Sequence, residues 1–103
     1  MSAIRTQRSA DTCTVILDGA LTAACFDDLR AALFRELEAG ARAVSLDLGR
    51  ADRLDGSGLA FLLRAANTLE KRNGRFDVVN VPAPLLELLH SLGLTTRLNA
   101  RGA

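Results

Sequence analysis

The stretch Leu54-Asp55-Gly56-Ser57-Gly58-Leu59 joins two segments of different hydrophobic period, and that junction decides the fold. Upstream, Val44-Ser45-Leu46-Asp47-Leu48 alternates as a buried strand does. Downstream, apolar residues from Gly58 to Arg72 recur at the three- and four-residue spacing of a helix. The junction sets a hydroxyl, flanked by glycines and preceded by a carboxylate, at or just before a helix N-terminus. The first N–H groups of a helix lack intrahelical partners, and its dipole favours negative charge there. Such a hydroxyl suits a helix cap, an anion site or a phosphorylation site.

The same patterning extends to both sides. Residues 3–8 form a weak strand, Ser9-Ala10-Asp11 a turn, and Cys13 to Asp18 a stronger strand, giving an antiparallel hairpin that ends at Gly19. Thr22 or a neighbour caps a helix that runs to about Ala39 and stops at Gly40, with Phe26, Leu29, Leu33 and Leu37 as its apolar face. A strand over Ala43–Leu48 leads into the junction. After the second helix, Asn73-Gly74 breaks the chain before a strand over Phe76–Val81. Pro84 falls in the first turn of a short third helix rich in Leu85, Leu86, Leu88, Leu89 and Leu92. Gly93 ends it, and Thr95–Leu98 reads as a final strand. The expected fold is α/β: a mixed, mostly parallel sheet of four or five strands with about three helices, in the order β-β-α-β-α-β-α-β. With no linker, repeat or low-complexity tract, residues 1–103 read as a single domain.

Composition narrows the function. Thirteen Lys+Arg against twelve Asp+Glu leave almost no net charge, Trp and Tyr are absent, and the four Phe are scattered. A nucleic-acid binder needs a basic face and usually stacking aromatics, so that class is disfavoured. No apolar run approaches the roughly 20 residues of a membrane span, which argues against membrane insertion. The N-terminus lacks the apolar core of a secretory signal. Cys13 and Cys25 fit neither a disulfide framework nor a zinc site and read as buried hydrophobes of a reducing compartment, which points to the cytoplasm. His90 has no second ligand at metal-binding spacing. Asp47, Asp52 and Asp55, flanked by Arg50 and Arg53, form a local acidic group without the nucleophile, base and orienting residue of an enzyme; strand-end and cap roles suit them. Gly56-Ser57-Gly58 has neither the lysine nor the length of a P-loop. No enzyme activity, cofactor or metal is expected.

The element order and the residues at the junction resemble the STAS domain of sulphate transporters and anti-sigma factor antagonists. Family members carry a strand like Val44–Leu48, then Asp-[Ser/Thr]-[Ser/Ala]-Gly-Leu opening a helix, here Asp55-Gly56-Ser57-Gly58-Leu59. A Pro turn and a Gly-Leu before the last strand follow, matched by Val81-Pro82 and Gly93-Leu94. The resemblance implies a binding module whose partner is a serine protein kinase or an anti-sigma factor, often one and the same protein. In such members the first hydroxyl after the Asp is phosphorylated, and a phosphate adds about −1.5 to −2 charges at pH 7, enough to break an interface. Here that slot holds Gly56, and Ser57 lies one residue later. Two readings stay open: Ser57 is the phosphoacceptor, or Ser57 caps the helix, worth about 1 kcal/mol. The resemblance also admits an MlaB-like cytoplasmic accessory subunit of a phospholipid ABC transporter, bound to its ATPase.

At about 100° per residue, Leu59, Leu62, Leu63, Ala66 and Leu69 share the face expected to meet the sheet. Ser57, Ala60, Phe61, Arg64 and Thr68 then fall on the opposite, solvent side. Exposed aromatics beside Arg are common interface anchors. Asp55, Gly56, Ser57 and Gly58 are therefore the expected switch loop, and Leu54, Ser57, Ala60, Phe61 and Arg64 the expected docking surface.

Overall fold

The computed structural model describes residues 3–102. Strand β1 (Ala3–Ser9) runs antiparallel to β2 (Thr12–Leu21) across a tight turn in which Ala10 takes a left-handed φ of 55°. A 3-10 turn (Ala23–Cys25) leads into α1 (Phe26–Glu38), followed by β3 (Ala43–Leu54) and α2 (Gly56–Lys71). Then come β4 (Arg75–Val81), α3 (Ala83–Ser91) and β5 (Ala100–Gly102). The five strands are ordered β1-β2-β3-β4-β5, and β2 through β5 are parallel. Element order and mixed sheet are those expected from the sequence.

Each parallel crossover moves the chain one strand further in the same direction. Right-handed crossovers therefore put the helices on one face of the sheet. Cys13, Val15 and Leu17 of β2, Val44, Leu46 and Leu48 of β3, and Phe76 and Val78 of β4 are buried on that face. Their alternates Thr14, Ile16, Ser45, Asp47 and Asp77 are only half-buried on the other. The helices close the core with Leu29, Ala32, Leu33 and Leu37 from α1, with Leu62, Ala65, Ala66 and Leu69 from α2, and with Leu89 from α3.

Three local expectations are corrected, and one helix is more exposed than its composition suggests. Thr22 heads the 3-10 turn with no side-chain cap bond, and the α-helix begins only at Phe26. Cys25 holds that turn: it is buried, and its Sγ donates to the Thr22 carbonyl at 3.2 Å. Strand β3 runs on to Leu54, six residues past Leu48, pairing with β2 as far as Leu21. Residues 95–98 form turns instead of the last strand, because Leu98, Asn99 and Ala100 donate to the nearby Leu94, Thr96 and Thr95 carbonyls. This coiling sends Leu98 into the core, and Asn99 at φ 47° releases the chain into β5 beside β4. Finally, α3 hides less of its leucine face than its composition suggests, with Leu88 at 41% and Leu92 at 50% exposure.

Candidate functional site

The C-terminal ends of the parallel strands β2 and β3 meet at the start of α2. Asp55 leaves β3 in extended conformation and caps the helix, its Oδ1 accepting the Gly58 N–H at 2.8 Å. Its carbonyl also accepts the Leu59 N–H at 3.0 Å. The expectation that Ser57 caps the helix is thereby corrected: α2 starts at Gly56, and Ser57 is its second residue. A carboxylate wins the cap because its bond to an N–H is charge-assisted and its charge faces the positive end of the dipole.

The two glycines around Ser57 have opposite surroundings. A Cβ on Gly58 would lie 2.2 Å from the Leu21 carbonyl oxygen and 2.8 Å from Leu54 Cδ1. The backbone of α2 thus presses against the end of β2, and the Asp55 N–H donates to the same Leu21 carbonyl at 3.4 Å. A Cβ on Gly56 would meet nothing within 4 Å. The slot that carries the acceptor hydroxyl in the resembling sequences is thus exposed here and has room for a side chain. Leu54, Ser57 and Ala60 are half-buried around it, and Asp55 and Arg64 are exposed.

Phe61 lies elsewhere than expected. It is buried to 9% exposure, and its ring packs on Phe26 of α1 with centroids 5.4 Å apart. The buried positions of α2 are Gly58, Phe61, Leu62, Ala65, Ala66 and Leu69, whereas Leu59 and Leu63 are half-buried. The helix is rolled by about one residue from the orientation that leucine content alone favours. Gly58 sets the roll: the only position that can touch the β2 backbone must face it, and residues three, four, seven and eight later follow. Two participants were missed in the sequence, Leu21 and Phe26, because both contacts span distant segments and leave no local period. The Leu-Asp-Gly-Ser-Gly run did carry one usable signal, a glycine at the third helical position.

The other charged residues singled out in the sequence either pair within the sheet or face solvent. Asp47 accepts from the Gly49 N–H at 2.8 Å and from Asn80 Nδ2 at 2.9 Å, tying β3 to β4. Arg50 pairs with Asp18 across β2 and β3 at 3.5 Å, while Asp52 and Arg53 face solvent. His90 is exposed on α3. Among the described residues, no three His, Cys, Asp or Glu side chains are gathered as a metal site would need, and no helix is long and apolar enough to cross a membrane. Cys13 and Cys25 are free and buried. Burial, reinforced by Glu36, pushes the Cys13 thiol up to about 11, with Arg8 opposing.

The family profile described as "Mlab, STAS domain" matches residues 4–99. The chain therefore belongs to the STAS-domain family. Among curated protein sequences none matches it. Among solved structures, it is similar to the anti-sigma factor antagonist SpoIIAA of Bacillus in its unphosphorylated form, at TM-score 0.81 and 21% identity, covering 98% of this chain and 88% of that one. An anti-sigma factor antagonist from Mycobacterium paratuberculosis superposes at TM-score 0.84 and 18% identity, covering 100% and 87%. A sulfate transporter family protein from Wolinella succinogenes does so at 0.75 and 20%, covering 89% and 75%. At these identities the likeness is one of fold.

Proposed function

We propose that this chain is a non-catalytic regulatory module that acts in the cytoplasm and docks a protein partner at the β3–α2 junction. The observation that carries the reading is the bare first turn of α2: Gly56 is exposed with empty space beside it, on a backbone pinned by Asp55, Gly58 and Leu21. A rigid turn with no side chain at its tip lets a partner approach the main chain closely at small entropic cost. Leu54, Ser57, Ala60 and Arg64 supply the surrounding contacts. The fold shared with anti-sigma factor antagonists supports an anti-sigma factor with serine kinase activity as the partner.

In this reading Ser57 is the phosphoacceptor. Asp55 relieves it of capping, and no other hydroxyl lies between Leu54 and Ala60. A phosphate there would sit beside Asp55 and put about two negative charges in the docking surface. Intact-mass measurement after incubation with a candidate kinase tests this: one phosphate is expected on the native chain and none on Ser57→Ala. An equal gain in Ser57→Ala, or no gain at all, removes Ser57 from this role.

A second reading draws on the family profile that matches the chain, which is named for the Mlab STAS domain. Here the same turn docks the ATPase of a phospholipid ABC transporter. Pull-down from native cells with identification of the retained protein separates the two: a kinase or anti-sigma factor supports the first, a transporter ATPase the second. Retention of either by a chain carrying Gly56→Asp at undiminished affinity contradicts docking at this turn.

A further inference from the structure

We propose that the groove between α1 and α2 is a binding site for a small carboxylate with an apolar body, such as a short-chain or aromatic acid. The groove has a volume of about 200 Å³. Its floor is Phe26, Leu33, Phe34, Phe61 and Ala65, and Arg30, Arg64, Asp27 and Thr68 form its rim. Close contact between the helices along this line is slight beyond the Phe26 and Phe61 rings, which meet at a tilt of 43°, so the cleft between them stays open. Behind Phe61, Leu33 and Ala65 a second, wholly apolar void of about 10 Å³ reaches toward Val15 and Phe76.

Volume and charge together select the occupant. An apolar cavity of about 150 Å³ holds one benzene ring, so this groove takes a single ring or a short alkyl chain. A partner helix, about 10 Å across with its side chains, does not enter it. The rim is cationic. Arg30 shares its charge with Asp27 at 3.1 Å, but Arg64 takes part in none of the ion pairs among the described residues. The net positive charge of the rim is therefore that of Arg64, with Arg72 outside the groove at 5.8 Å from the centre of the Phe34 ring. A guanidinium at the lip of an apolar cleft binds a planar carboxylate while the cleft shelters its chain. Arg64 borders both this groove and the docking surface, but the test below uses free ligand with no partner, so failure of either proposal leaves the other standing.

The test is an NMR titration of the ¹⁵N-labelled full chain with hexanoate, 1-hexanol and hexylammonium at neutral pH. Saturable shifts confined to amides of 26–34 and 61–68 are expected. Hexanoate should bind about tenfold more tightly than either of the others, the ratio that 1.4 kcal/mol represents. Arg64→Gln should bring hexanoate down to the affinity of hexanol, and Thr68→Trp, which fills the cleft from its rim, should remove both. Both substitutions are outside the core, and preserved dispersion of the spectrum checks that each variant is folded. The proposal is overturned by absence of saturation, by equal binding of hexylammonium, by undiminished hexanoate affinity in either folded variant, or by shifts centred elsewhere. Shifts at these same residues that depend on protein concentration alone would assign the groove to a second copy of the chain and overturn it too.

Discussion

At the scale of single residues, the two glycines of the junction make opposite demands. Gly56 has empty space where a side chain would go, and Gly58 has a carbonyl oxygen 2.2 Å from that place. Gly56→Ala should stabilise the fold by about 0.4–1 kcal/mol, through the unfolded chain's lost freedom. Gly58→Ala should cost about 1–3 kcal/mol or more, because α2 must lift from β2 to make room. Urea denaturation of the two variants checks the contrast, and equal midpoints would show that the helix does not press on the strand as described. Cys13 gives a pH-dependent prediction. Its thiol is held protonated in the fold up to about 11, above the ordinary thiol range. The unfolded chain therefore loses this proton first, so stability from this group is complete below the unfolded thiol's pKa and declines as pH rises toward about 11. Denaturation at successive pH values should show a decline that is smaller in Cys13→Ala.

At the scale of elements, α2 shows where local pattern is sufficient and where it is not. The strand, turn and helix around Leu54–Leu59 were legible because alternation, a glycine pair and a 3.6-residue period are all local signals. The cap and the roll of the helix were not. Ser57 and Asp55 are both good capping residues two positions apart, and only the 2.8 Å bond to Gly58 decides between them. The roll is set by Leu21 and Phe26, both more than thirty residues away in sequence. Phe61 consequently moved from the expected docking face into the core. Phe61→Ala should cost about 3–5 kcal/mol of stability, measured by thermal or urea unfolding. A cost below about 1 kcal/mol, the scale of a surface change, would return it to the solvent side. Asp55→Ala should cost about 1 kcal/mol through the lost cap, and Asp55→Asn should restore most of it.

At the scale of the whole molecule, the sequential strand order places every crossover on one side and every parallel strand end at one pole. That pole carries the β3–α2 junction. The order of elements was readable because strands and helices alternate with breakers between them. The last strand was misplaced, since Thr95–Leu98 has strand composition yet is coiled by its own backbone bonds to bury Leu98. Family membership follows from the match over residues 4–99. Docking at the junction is the central claim, and Gly56 offers its cleanest probe because a side chain there disturbs nothing inside the protein. The decisive measurement is the partner affinity of Gly56→Asp beside that of the native chain, with unfolding midpoints recorded for both. Docking at this turn predicts at least a tenfold loss, about 1.4 kcal/mol or more, with stability undiminished; undiminished affinity in a variant at least as stable as the native chain would contradict it.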